Sequence, residues 1–461
     1  MAATGIIDVS ALVDRQKIGA FHILLLAWSF LVMLMDGYDI IAAAFAAPEL
    51  IRQWHVERAA LGPMLGASLF GIFVGSFLFG YAGDRWGRKV AIIAACTVFG
   101  GFTLAAAWAG SLNQLMVLRA LAGMGIGGAM PNTISLMAEY APKRVRATMV
   151  ILMFTGTSFG GAVAGPLSNW LVPLHGWQAL FLVGGIVPLM LAVLLCFVLP
   201  ESIKFLALDE GRRARTVQAA LRLEPGLVIG KQDRFVSGQA EISEADTGGG
   251  FRLAQLFRGR FAIVTPLLWL MFAMNLMVYY FINSWTPTLI ASVGVPVSRA
   301  VQVTALFQLG GTVGGITLSR LLDRHGLRPV AFMFLIACPV VASIGFMATS
   351  ELPLLVITFV AGFFLLGLQF GLNASSGLIY PTSMRANGVG WAFGVGRIGA
   401  IMGPVVGGLL IGMRLPIQQL YVIAAVPLLL GAVACFTLLR FHDSRNMPSD
   451  AVTLATVATG E

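Results

Sequence analysis

Charge is what this chain has least of. Only 11% of its 461 residues are Asp, Glu, Lys or Arg, under half the roughly 25% of an ordinary soluble domain, which excludes a soluble enzyme as the starting assumption. Cysteine is scarce as well. Cys96, Cys196, Cys338 and Cys435 each stand alone inside an apolar run, a spacing that suits neither a disulfide framework nor a metal site. Residues 1–17 lack the compact basic, apolar and small-residue pattern of a cleaved secretory signal, so the apolar block from Ala20 is expected to be retained as a first helix. The Lys and Arg residues behind the net charge of +9 are scattered between apolar blocks. That scatter argues against a nucleic-acid partner. Gly125-x-Gly127-Gly128 lies within an apolar run, not at a strand-to-helix turn, and is no nucleotide loop. Neither catalysis nor a bound cofactor or metal is expected.

What is abundant is hydrocarbon: 58% hydrophobic residues and a mean hydropathy of +0.86. A membrane helix needs about 20 largely apolar residues. Twelve stretches qualify: 20–47, 60–82, 90–110, 115–137, 147–170, 178–199, 261–289, 301–321, 329–349, 353–378, 386–411 and 417–440. The fold class expected is an all-α polytopic membrane protein of twelve transmembrane helices in two six-helix halves. Its parts are 1–199 for the first half, 200–260 for a cytoplasmic inter-half segment, 261–440 for the second half and 441–461 for a cytoplasmic tail. The 54 Gly and 20 Pro do not contradict this, because membrane helices tolerate both. With both termini cytoplasmic, Arg52, Arg58, Arg299 and Arg414 are the outer-side members of the 30 Lys and Arg residues. The rest favour the inner side, apart from Arg119 and Arg397 within spans.

The halves echo each other. Asp84-Arg85-x-Gly87 recurs as Asp323-Arg324-x-Gly326, and Pro142-x-x-x-Arg146-Ala147 as Pro381-x-x-x-Arg385-Ala386, both at an offset of 239. Two matches at one offset indicate parallel repeats. Asp84, Arg85, Arg88, Asp323 and Arg324 are candidates for a charged cytoplasmic gate, joined by Glu139, Arg146 and Arg385; positive-inside topology with tight turns is the plainer alternative. The run GYAGDRWGRK, with LRALAGMGIGGAMPN at 118–132, AEYAPKRVRA at 138–147 and PES at 200–202, resembles the major facilitator superfamily over nearly the whole chain.

Charges inside the spans mark function, since a carboxylate or guanidinium in hydrocarbon is costly. Asp36 and Asp39 lie on one helical face with Gly37 between them, and they suit a proton carrier; a structural pairing with Arg119 is the alternative. Arg397, near the middle of the eleventh span, needs an anionic or strongly polar partner. A substrate carboxylate fits its planar fork, and an internal partner remains the other reading. Asn275, Tyr279 and Asn283, and Gln369 and Asn373, repeat at i, i+4 and are candidates for the wall of the same substrate cavity, with Tyr38, Phe307 and Trp391 as aromatic surface for a ring; ordinary helix packing is the alternative for the aromatics.

DGYD in the first helix, Arg119, GGAMPN and GVGRIGAIMGP at 394–404 together resemble the aromatic acid/proton symporter family. That resemblance implies uptake of a benzoate-, hydroxybenzoate-, protocatechuate-, gentisate- or phenylpropanoid-like acid by alternating access in a bacterial cytoplasmic membrane. The implied proton-coupling residues are Asp36, Asp39 and Arg119. The expected partners are an aromatic organic acid, protons and membrane lipid, with the carrier a functional monomer and the proton its coupling ion. His325 and Leu327 depart from the basic loop pattern of the first half. Sugar or polyol transport, another organic anion, acid efflux and a membrane substrate sensor are the competing functions.

Overall fold

A backbone in hydrocarbon must satisfy its own polar groups, and for runs this long the helix is the solution. The structure, a computed structural model, describes residues 6–227, 229–230, 233–236, 256–380 and 382–443. A short strand β1 (Ile6–Asp8) and helix α1 (Val9–Asp14) precede six long helices: α2 (Ala20–Trp54), α3 (Leu61–Trp86), α4 (Arg88–Ala106), α5 (Leu112–Tyr140), α6 (Arg146–His175) and α7 (Gln178–Val198). Between the two sets lie α8 (Ile203–Ala207), α9 (Arg213–Leu223) and β2 (Arg234–Val236). Six more long helices follow: α10 (Phe261–Ser292), α11 (Val297–His325), α12 (Arg328–Met347), α13 (Glu351–Ile379), α14 (Thr382–Gly412) and α15 (Ile417–Asp443). The chain is thus a multi-pass, all-helical membrane fold, and its one sheet is β1 paired in parallel with β2 among the described residues.

Eleven of these helices are long and apolar enough to cross a membrane by composition alone; α5 is not among them. It carries Arg119, Asn132 and Thr133, all buried, and it is packed mainly on α3 and α4. The protein, rather than lipid, surrounds its polar face. Conversely Phe77, Trp108, Phe159, Phe197 and Phe346 stand exposed around the bundle, a surface that water would not tolerate at this extent and lipid does. The helices overrun the apolar stretches: α2 continues through Pro48 to a left-handed cap at His55 (φ 53).

Small residues set the packing. A methyl group at Gly71 or Gly75 of α3 would strike the Ala120 or Met124 carbonyl of α5, and one at Gly310 or Gly314 of α11 would strike the Phe359 or Phe363 carbonyl of α13. Gly123 and Gly362 occupy the reciprocal positions against Ser68 and Phe307. The offset of 239 read from the loops therefore recurs in the close contacts. Gly160 of α6 against Leu34 and Gly399 of α14 against Ala273 extend it to a second helix pair.

The first and last sets of six meet at one end of the bundle. Cβ positions built on Gly62 fall 2.9 Å from the Pro404 carbonyl, and those on Gly408 fall 2.9 Å from the Ala59 carbonyl. Gly165 of α6 likewise faces Val301 of α11 at 2.8 Å.

Candidate transport site

Two intramembrane arginines sit in opposite circumstances. Arg119 of α5 is fully buried and pairs with Asp39 of α2 at 2.5 Å, both side chains being 2% exposed. Its guanidinium also lies 5.7 Å from the Phe181 ring of α7. This pair closes α2 onto α5 within the first six helices. Arg397 of α14 has no carboxylate partner among the described residues. Its Nη1 donates to the Tyr280 hydroxyl at 3.3 Å, and its Nη2 lies 3.7 Å from Met130 Sδ across on α5. Asp36 is 5% exposed, within reach of the fields of Arg397 and Asp39, and forms neither a hydrogen bond nor an ion pair with the described residues. The two acids of DGYD thus diverge.

Glycines seat the helices that carry these groups. A methyl group at Gly37 would collide with the Thr157 carbonyl, and one at Gly399 with the Ala273 carbonyl. Close backbone approach therefore seats α2 on α6 and α14 on α10 beside Asp36 and Arg397, respectively.

The amides expected on the wall are gathered in two groups. Asn275 Nδ2 donates to Gln369 Oε1 at 2.8 Å, and Gln369 Nε2 donates to Asn373 Oδ1 at 3.1 Å. Asn283 Nδ2 donates to the Tyr279 carbonyl at 2.9 Å, and its Oδ1 faces Gln308 Nε2 at 3.5 Å. Tyr279 lies against Phe307, centroids 6.0 Å apart. Two of the aromatic candidates are engaged elsewhere. Tyr38 donates to the Leu180 carbonyl of α7 at 3.0 Å, and Trp391 stacks on Trp269. Sequence reasoning missed Tyr280, Met130 and Gln308. Tyr280 lies off the Asn275–Tyr279–Asn283 stripe, and Met130 carries no polar signal.

At the loop cluster, Arg88 Nη1 pairs with Asp84 at 2.5 Å and its Nε lies 3.6 Å from Glu139. Glu139 in turn accepts from Ser202 Oγ. Glu201 Oε1 accepts from the backbone N–H of Lys89 at 3.1 Å and of Ser202 at 2.8 Å, so PES ties the end of α7 to the start of α4. Burial pushes the Glu201 carboxyl above its ordinary value, opposed by those backbone N–H groups. Arg146 is drawn to Asp14 at 3.8 Å beside the Lys143–Asp14 pair at 2.8 Å. Arg85 and Arg324 are exposed. The side chains of Asp323 and Arg385, and Pro381 of the repeat, lie outside the described part of the structure.

A twelve-helix bundle with lone charges at its middle and glycine-seated helices around them is the build of a membrane solute carrier. The family model for the Major Facilitator Superfamily matches residues 29–314 and 268–455. A gallate transporter of Pseudomonas putida is 37% identical over 430 residues, spanning 93% of this chain and 94% of the relative. The 4-hydroxybenzoate transporter PcaK of Acinetobacter baylyi is 36% identical over 432 residues, spanning 93% and 94%. Among solved structures, the inward open conformation of the xylose transporter XylE from E. coli superposes with a TM-score of 0.69 at 17% identity, covering 91% of this chain and 96% of that one. The chain belongs to the Major Facilitator Superfamily and, within it, to the aromatic acid/proton symporter family.

Proposed function

We propose that the chain is a secondary transporter, not an enzyme, that takes up a small aromatic carboxylate with a proton by alternating access. The observation that carries this reading is Arg397, a guanidinium in mid-bundle that meets a hydroxyl and a thioether but no carboxylate among the described residues. A substrate carboxylate supplies the missing counter-charge in the bidentate geometry Arg favours. Relatives named as gallate, 4-hydroxybenzoate and benzoate transporters support an aromatic acid.

The proton step follows from charge balance. Arg397 is the cation whose field reaches Asp36. When a substrate anion pairs with Arg397, Asp36 is left as a buried carboxylate without counter-charge, and taking up a proton removes that cost. Substrate and proton then favour each other's binding, as linkage requires. One anion with one proton moves no net charge, so the pH gradient supplies the drive. Asp39, held by Arg119, maintains the bundle.

The two halves, 1–199 and 261–440, would rock about this site, with the 200–260 segment between them and the 441–461 tail beyond. We place both termini on the cytoplasmic side of a bacterial inner membrane, where the Lys and Arg residues gather. The contacts of Gly62 with Pro404 and Gly408 with Ala59 then close the outer end, which is an inward-facing arrangement. The carrier works as a monomer in lipid, with the proton as coupling ion and no cofactor.

The test is a binding screen of purified protein with benzoate, hydroxybenzoates, protocatechuate, vanillate, gentisate and phenylpropanoid acids against their uncharged amides and hexoses. Radiolabelled uptake under an imposed pH gradient follows. An acid should bind, more weakly in Arg397→Ala, and accumulate with the gradient. Saturable hexose binding without acid binding would overturn the reading.

A further inference from the structure

Gln308 of α11 is 3% exposed, and its Oε1 has no hydrogen-bond partner among the described residues. Which end of the amide is left over is fixed by its neighbours. Asn283 Nδ2 donates to the Tyr279 carbonyl, a group that can only accept. The Asn283 amide is therefore oriented, and it presents Oδ1 to Gln308. Gln308 answers with its N–H, at 3.5 Å, with the Tyr279 hydroxyl also beside both amides, and its carbonyl oxygen is the end that remains.

A buried acceptor without a donor is costly. The residue also stands at the seam between the two sets of helices: a methyl group on Gly161 of α6 would lie 2.8 Å from Gln308 Nε2. The neighbouring Phe307 and Tyr279 rings supply aromatic faces, and Tyr279 adjoins Arg397's partner Tyr280 in the chain, their rings 5.1 Å apart. An occupant of this place needs a flat apolar body and a group that donates a hydrogen bond.

We infer that Gln308, oriented by Asn283, is the specificity-determining residue for a ring hydroxyl, so that the carrier selects phenolic over unsubstituted aromatic acids. The inference rests on the aromatic-acid reading of the same site: Arg397 takes the carboxylate and Gln308 accepts from the hydroxyl. Because the unpaired group is an acceptor, a methyl ether, which has an oxygen but no hydrogen to donate, should fail where the phenol succeeds.

The experiment measures binding to purified protein of benzoate, 3- and 4-hydroxybenzoate and the corresponding methoxybenzoates. At least one phenol should bind about tenfold or more tighter than both benzoate and its own methyl ether. In Gln308→Met, which keeps the length and removes the amide, that ratio should fall to about one. Gly161→Ala, which pushes the Gln308 amide from α6, should lower it too. Equal binding of phenol, ether and benzoate by the unaltered protein would overturn the inference without recourse to any variant, as would a ratio that survives in Gln308→Met. Acids that bind through Arg397 with no preference for a hydroxyl would sink this inference alone, whereas the absence of acid binding would sink the transport reading beneath it.

Discussion

Asp36 and Asp39 are three residues apart, and their environments assign them different work. Asp39 is bound to Arg119 with both side chains out of solvent, so removing one partner leaves the other as an uncompensated buried charge, a loss of about 3–5 kcal/mol. Arg119→Leu and Asp39→Leu should each lower the melting temperature of the detergent-solubilised protein, and the double variant should recover much of the loss. Asp36→Asn should leave melting nearly unchanged while abolishing accumulation driven by a pH gradient and sparing substrate counterflow. If Asp36→Asn melts as early as Asp39→Leu, the division of labour is wrong. The sequence made all three charges legible as a group, because carboxylates and guanidinium groups are rare in spans. It left open which acid faces Arg119, since a spacing of three puts both on one face and only the rotation of α2, set by Gly37 on the Thr157 carbonyl, separates them.

Helices α4 and α7 show how a motif shared among many carriers acts as a fastening. PES was legible as a resemblance but silent about mechanism; its Glu201 turns out to accept the N–H of Lys89 at the start of α4, in a region where the first N–H groups of a helix need partners. Burial raises the Glu201 carboxyl above its ordinary value, and the sign follows by linkage. Above the raised value the folded protein bears a charge it accommodates less well than the unfolded chain, so this group subtracts stability there; the deficit shrinks as pH falls through that value and vanishes below the ordinary one. Glu201→Gln keeps an acceptor for both N–H groups and drops the charge. It should melt at or above the unaltered protein at neutral pH, and the gap should narrow on acidification. Glu201→Ala, with two N–H groups left unanswered, should melt earlier at every pH, by the equivalent of about 1–3 kcal/mol. A widening gap between Gln and Glu on acidification would contradict the sign. The contrasting case is α5, whose polar residues keep it below the apolarity of its eleven companions; its span was legible from length and position, and its burial between α3 and α4 was not, because hydropathy reports composition and not neighbours.

For the molecule as a whole, the question is whether the contacts at one end must break for transport. The repeat was readable from two loop motifs, and the structure extends its offset to Gly71 and Gly310, Gly75 and Gly314, Gly123 and Gly362, and Gly160 and Gly399. What the sequence could not reveal is the state of the bundle, because both states of a rocking carrier use the same residues in different pairings. Ala59 and Gly412 provide the test: a Cβ on Gly412 would lie 3.0 Å from the Ala59 Cβ, and a disulfide asks for about 3.5–4.5 Å, a relaxation of a few tenths of an ångström. In a background with Cys96, Cys196, Cys338 and Cys435 replaced, Ala59→Cys with Gly412→Cys should cross-link under mild oxidant. The cross-linked carrier should lose uptake, because the end we propose to face outward cannot open, and should regain it on reduction. It should still bind substrate presented from the opposite face, since the closed end is the one the disulfide holds. Each single cysteine should be modified by a membrane-impermeant reagent added outside intact cells, more so when the outer end opens. Full uptake by a quantitatively cross-linked carrier would show that these contacts need not separate, and the rocking mechanism would fall with them.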